Sequence, residues 1–231
     1  MIKLIVWSLF DSGNGSYYKV FNNEPNIENY SIGLDRLMIN QHFINVDLSS
    51  MKCLEVLNTL PKPDLIIASP PCESWSIASA MNGGNACWKW KNDELQIRTK
   101  KEYSNTRYDN IKSTRNRITG ELTILTLIEI IQHYKPKYYI IENPQTSRIW
   151  KYINENIGFH IPYDNLTYYN NYDYPVKKPT FFKSNINLDL SKDNIKSLKQ
   201  LDSINCYNER SNIPELLVKK IIKKVKDYEN K

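Results

Sequence analysis

Two segments of the chain hold the residue types that covalent catalysis asks for. In Asp64-Leu65-Ile66-Ile67-Ala68-Ser69-Pro70-Pro71-Cys72-Glu73-Ser74-Trp75-Ser76 an apolar run ends in two prolines, and a thiol follows them. Prolines fix the chain direction, so the next side chain is presented at the end of the run. As a thiolate, Cys72 can add to an electrophilic carbon. Seventy residues later, Tyr138-Tyr139-Ile140-Ile141-Glu142-Asn143-Pro144 is a second apolar run that ends in a carboxyl and an amide. Glu142 can supply a proton where negative charge develops, and Asn143 can brace it or hold the cysteine loop by its backbone. Each segment also has a plainer reading: a turn followed by an inert buried cysteine, and a Glu-Asn-Pro cap of the next helix.

The pairing of thiol and carboxyl suits one demanding reaction. Carbon-5 of cytosine is too weak a nucleophile to take a methyl group directly. A thiolate that adds to carbon-6 makes carbon-5 enamine-like, and a carboxylic acid near N3 balances the electrons pushed there. Exocyclic amino groups are methylated by sites with Tyr, Phe or Trp after the prolines, so Cys72 argues for the ring carbon, with the amino group as the alternative atom.

A third segment, Ser8-Leu9-Phe10-Asp11-Ser12-Gly13-Asn14-Gly15-Ser16, leads from an apolar run into a turn where glycine allows close approach of a ligand. A turn is also its plain reading. Asp35 and Asp47 end the next two apolar runs, where carboxylates can accept from ribose hydroxyls and an adenine amino group. Asp47, ahead of Leu48-Ser49-Ser50, equally suits a helix cap. The three features together point to an adenosyl cofactor.

Positioning these residues requires a sheet. Apolar runs over Leu4–Leu9, Tyr30–Leu34, Phe43–Val46, Asp64–Ala68 and Tyr138–Ile141 are continuous, which predicts strands covered on both faces in a doubly wound α/β sheet. Helical spacing marks Leu48–Leu60 and Leu122–Tyr134, each stopped by a Lys-Pro pair. A last helix follows Ser211-Asn212-Ile213-Pro214, with an apolar face from Leu216 to Val225 and lysines on the other. Met81–Glu121 breaks the rhythm. It shows no comparable strand or helix signal and carries nine basic residues against five acidic ones, interleaved with Trp88, Trp90, Tyr103 and Tyr108.

With 231 residues and 41% apolar content the chain suits one domain. Its net charge of +6 favours a polyanion or simply solubility. Four scattered cysteines and three histidines show no ligand spacing, so neither a metal site nor a disulfide framework is expected. The first ten residues read as a buried strand instead of a signal peptide, and no run approaches the roughly 20 apolar residues of a membrane span. The expectation is a soluble, cytoplasmic monomer without a membrane partner.

In order and spacing, Ser8-Leu9-Phe10-Asp11, Pro70-Pro71-Cys72 and Glu142-Asn143 resemble the motifs of the DNA cytosine-5 methyltransferases, above all compact phage-encoded members. The resemblance covers most of the chain. It implies a Rossmann-like class I methyltransferase fold: a central, mostly parallel sheet with helices on both faces. S-adenosyl-L-methionine would be held by Phe10, Asp11, Gly13, Gly15, Asp35, Asp47 and Pro70. Cys72 would be the nucleophile, Glu142 the proton donor to N3 and Asn143 its neighbour in the site.

Tyr174-Pro175-Val176-Lys177-Lys178-Pro179-Thr180-Phe181-Phe182 is similar to the segment where the family carries Gln-x-Arg-x-Arg near the flipped base. Lys177 and Lys178 are its counterparts here, a change of kind. Arg210-Ser211-Asn212-Ile213-Pro214 looks like the final motif. Only Asn185–Glu209 separates the two, too short for the target-recognition domain of sequence-specific members.

The basic insertion stands where the family has a mobile loop over the base. Ser76, Trp88, Lys89, Lys91, Arg115 and Arg117 are its candidates for nucleic-acid contact, by phosphate neutralisation and base stacking. The implied partner is DNA with a flipped cytosine, RNA being the other polymer, and the implied specificity is relaxed or short-context. Abundant Asn, Lys, Ile and Tyr fit an AT-rich genome such as a phage, where protection from restriction is the analogous purpose. Against turnover stand the absent recognition domain and the altered lysine segment, which also suit a DNA-binding or inhibitory descendant of such an enzyme.

Overall fold

The computed structural model describes residues 3–13, 15–34, 43–76, 88–92, 94–102, 110–193, 195–198 and 212–230. Its frame is a seven-stranded sheet. The strands are β1 (Leu4–Leu9), β2 (Ile27–Gly33), β3 (Phe43–Asn45), β4 (Leu65–Ala68), β7 (Tyr138–Pro144), β8 (Tyr163–Tyr168) and β9 (Pro179–Ser184). They lie in the order β3-β2-β1-β4-β7-β9-β8. β1, β2, β3, β4 and β7 run parallel, and β9 is antiparallel to both its neighbours. The fold is therefore α/β and Rossmann-like, with the strand order reversing between β1 and β4.

Alternation along each strand divides the core in two. Trp7, Leu9, Ile66, Ala68 and Ile141 face α2 (Cys53–Leu57) and α3 (Asn110–Tyr134). Leu4, Val6, Leu65, Ile67, Tyr138 and Ile140 face α1 (Ser16–Phe21) and the C-terminal α5 (Glu215–Glu229). Covering both faces explains why the parallel strands read as unbroken apolar runs. α5 docks with Leu217, Val218, Ile221, Ile222 and Val225, whereas Leu216, expected on the same face, is exposed.

Several expectations change. The helix expected over Leu48–Leu60 is helical only at Cys53–Leu57, with turns on either side. The strand expected from Tyr30 begins at Ile27. The insertion is not featureless: β5 (Trp88–Lys91) and β6 (Glu94–Ile97) form an antiparallel hairpin, and α3 already starts at Asn110. The polar first half of α3 is held by tertiary contacts. Ser74 Oγ donates to the Asn116 carbonyl at 2.7 Å, and a Cβ at Gly120 would come within 2.9 Å of the Ser74 side chain.

β8 and β9 have no apolar run to announce them. Inside β8, Asn165 occupies a buried position and satisfies it with hydrogen bonds, its amide donating to the Phe182 carbonyl and Ser184 Oγ and its oxygen accepting from the Leu188 N–H. Short α4 (Ile149–Lys151) continues as a wider π-type turn over Tyr152–Ile157 that ends at Gly158. No helix among the described residues is long and apolar enough to cross a membrane.

Candidate active site

In open α/β sheets, ligands sit beyond the carboxyl ends of the strands, at the point where strand order reverses. β4 and β7 are parallel neighbours with Ala68 beside Ile141, so Ser69–Cys72 and Glu142–Asn143 emerge next to each other at that edge. Asn143 joins them: its amide donates to the Pro70 carbonyl at 2.9 Å, and both residues are buried. The other end of the same side chain, Oδ1, is buried and meets no donor among the described residues.

Glu142 is 7% exposed and accepts a hydrogen bond from the Tyr169 hydroxyl at 3.1 Å. Cys72 is half-buried. Burial pushes its thiol above the usual range, the Glu142 charge pushes it further, and Lys178 pulls it back. Cys72, Glu142 and Lys178 therefore sit within electrostatic reach of one another. Lys178 and Lys177 diverge. Lys178 Nζ lies 4.8 Å from the centre of the Tyr169 ring, on the site side. Lys177 Nζ rests 4.4 Å over Tyr168, and its backbone N–H donates to Ser197 Oγ at 2.8 Å. The lysine brought to the cysteine is Lys178.

Two fully buried tyrosines were not legible as site residues. Tyr169 opens a short 3-10 turn, Tyr169–Tyr172, directly after β8. Tyr17, on α1, is within 2.9 Å of Ser69 Oγ, and burial together with the Glu142 charge raises its phenol well above the usual range. Neither belongs to a motif; only the topology brings them to Glu142.

The turn after β1 bears the expected cofactor residues. Phe10 adopts φ +61 and Gly13 φ +73, so a bulky residue is held in the left-handed region where strain accompanies ligand sites. Asp11 is structural in its contacts. Its carboxylate accepts from the Ser12 N–H at 2.9 Å and the Ser31 hydroxyl at 2.8 Å, at the end of a buried chain in which Ser8 donates to Asn29 and Asn29 to Ser31. Burial raises the Asp11 carboxyl while these donors lower it. Gly15 and Gly33 both make room for Asp11: a Cβ would lie 2.5 Å from its Oδ1 at Gly15 and 2.4 Å from its carbonyl oxygen at Gly33. Asp47 is exposed and accepts from the Ser49 N–H and hydroxyl at 2.9 and 2.7 Å, the capping arrangement. Asp35 lies outside the described residues.

The set fits an adenosyl ligand at the β1–β4 switch point. Leu9 pairs with Ala68, so the strained Phe10 turn and Ser69–Pro70 leave the sheet side by side there, and the Asn143 oxygen is a buried acceptor without a donor beside Pro70 among the described residues.

The nucleic-acid candidates separate by exposure. Trp88 is 6% exposed and stacks on Trp75 with ring centres 5.7 Å apart, so its ring is buried in the core instead of being presented to a base. Arg117 pairs with Glu121 at 2.8 Å and lies over the Trp88 indole, and Lys89 pairs with Glu102. Lys91 and Arg115 are exposed, and Ser76 is half-buried. Tyr103 and the Trp90 side chain lie outside what is described. Among the described residues no group of His, Cys, Asp or Glu converges as metal ligands would.

No protein-family profile matches the chain, and no curated protein does. Solved structures similar to it include two methyltransferases. One is described as a DNA modification methyltransferase encoded within a prophage of E. coli, at 17% identity and a TM-score of 0.46, over 79% of this chain and 46% of that one. The other is the Entamoeba histolytica methyltransferase EhMeth, at 15% identity and a TM-score of 0.48, over 85% of this chain and 58% of that one. The chain thus spans about half the length of the structures it matches.

Proposed function

We propose that the chain transfers a methyl group from S-adenosylmethionine to carbon-5 of cytosine in DNA, with Cys72 as nucleophile and Glu142 as acid. The observation that carries this reading is the Asn143–Pro70 hydrogen bond, which ties the cysteine loop to the strand bearing Glu142 at the edge where an open α/β sheet binds ligands. S-adenosylmethionine, held between the Phe10 turn and Ser69–Pro70, supplies the methyl group.

The residues divide the remaining work. Burial, and after it the neighbouring Glu142, oppose ionisation of Cys72, so its resting form is a thiol. When a cytosine is extruded against Glu142, the Cys72 proton passes through solvent to the Glu142 carboxyl, which engages N3 in its protonated form and leaves a thiolate that Lys178 favours. The sulfur then bonds to carbon-6 as N3 takes the proton of Glu142, and carbon-5 accepts the methyl group. Solvent takes the carbon-5 proton, the electrons of that bond form the 5,6 double bond and expel the sulfur of Cys72 as thiolate, and N3 returns its proton to Glu142, which restores the ring. Exposed Lys91 and Arg115 supply phosphate contacts, so specificity is relaxed or short-context. Protection of the bearer's own DNA from restriction is the purpose this activity would serve.

The test is methyl transfer from labelled cofactor to mixed-sequence DNA, with RNA as competitor and Cys72→Ala as control. Label in DNA cytosine that disappears in Cys72→Ala supports the reading. Cofactor binding without incorporation supports a binding protein of the same fold and overturns it, and preferential label in RNA overturns the substrate.

A further inference from the structure

The Tyr169 hydroxyl donates to Glu142 Oε1 at 3.1 Å. The Tyr169 ring carries Lys178 Nζ on its face at 4.8 Å, with Tyr174 edge-on at 5.6 Å. Tyr169 is fully buried, and burial followed by the Glu142 charge raises its phenol well above the usual range. It therefore stays protonated at any working pH and acts as a fixed donor, not as a proton carrier.

We propose that Tyr169 is a positioning residue that couples the two groups flanking Cys72: its hydroxyl fixes the Glu142 carboxyl, and its ring face seats the Lys178 ammonium. The inference rests on the reading of Cys72 and Glu142 as nucleophile and acid. A carboxyl held by one oxygen keeps its plane and offers the other to N3, and a desolvated ring face holds an ammonium where an ordinary lysine stem would let it wander. The two roles reside in different atoms of one side chain, so they separate by substitution.

Tyr169→Phe keeps the ring and removes only the hydroxyl, whereas Tyr169→Leu removes the seat as well; Lys178→Met removes the cation and leaves Tyr169 in place. Two quantities are measured on the full chain, single-turnover methyl transfer to DNA and the pH midpoint of Cys72 alkylation by iodoacetamide, followed by peptide mass spectrometry. Tyr169→Phe should slow methyl transfer roughly 10- to 100-fold with an unchanged KM for DNA, while its alkylation midpoint stays at the wild-type pH. Tyr169→Leu and Lys178→Met should both move that midpoint upward, because the thiolate loses its nearby cation. Wild-type transfer by Tyr169→Phe overturns the positioning of Glu142. A midpoint that moves in Lys178→Met but stays put in a folded Tyr169→Leu overturns the seating of Lys178. Wild-type protein that methylates no DNA refutes the parent reading instead, and the alkylation series still decides the coupling.

Discussion

Asn143→Ala separates the two jobs that a buried amide can do. In the wild type its amide nitrogen satisfies the Pro70 carbonyl at 2.9 Å, while its oxygen is buried without a donor. Truncation leaves the Pro70 carbonyl unpaired, at a cost of about 1–3 kcal/mol. It also removes the orphaned oxygen, a penalty of the same kind, so the two largely offset. The net loss should be about 1 kcal/mol, or roughly 2–4 °C in melting temperature for a domain of this size. Function should suffer far more. The hydrogen bond is what registers the Pro-Pro-Cys loop on β7, and misplacing a nucleophile by about 1 Å costs on the order of 100-fold in rate. Differential scanning calorimetry and single-turnover methyl transfer, run on the same preparation, give both numbers. A large melting loss with transfer near wild type would show that Asn143 serves stability alone and refute the reasoning.

Four further outcomes follow from other contacts. Gly33→Ala places a Cβ 2.4 Å from the Asp11 carbonyl oxygen, and since backbone must give way it should cost about 2–3 kcal/mol and weaken cofactor binding by calorimetry; an unchanged affinity would exclude the Phe10–Asp11 turn from that site. Trp88→Ala should lower stability by about 3–5 kcal/mol in chemical denaturation, because Trp88 packs on Trp75, whereas a base-stacking tryptophan would leave stability near wild type. Burial pushes the Cys53 thiol up to about 11, so native protein at pH 8 should be alkylated at Cys72 well before Cys53. Glu142→Gln, by removing a negative charge, should lower the Cys72 alkylation midpoint; an upward move would contradict the placement of Glu142 beside the thiol.

The parts of the site carried by buried parallel strands were legible in the sequence, because burial on both faces writes β1, β4 and β7 as apolar runs whose ends are polar. That is why Cys72, Glu142 and Asn143 stood out before any geometry. The antiparallel strands left no such trace. β8 puts polar Asn165 and Thr167 at its buried positions, and β9 opens on Pro179, so the segment that brings Tyr169 to Glu142 carries no apolar strand signal. The choice between Lys177 and Lys178 is likewise tertiary: adjacent side chains leave the backbone in different directions, and only the neighbouring tyrosine rings tell which one reaches the cysteine. Trp88 misled because tryptophan among lysines suits base stacking, and nothing local reveals that Trp75 is waiting beneath the hairpin. Gly15, read with Gly13 as part of a ligand loop, also makes room for Asp11, a packing role that the sequence did not show.

The central claim is tested most directly by identifying the methylated nucleoside. DNA incubated with S-adenosylmethionine and the wild-type protein is digested to nucleosides and analysed by mass spectrometry beside a Cys72→Ala reaction. The account predicts 5-methylcytosine from the wild type and none above background from Cys72→Ala. N4-methylcytosine, or 5-methylcytosine formed equally well without the thiol, would contradict it.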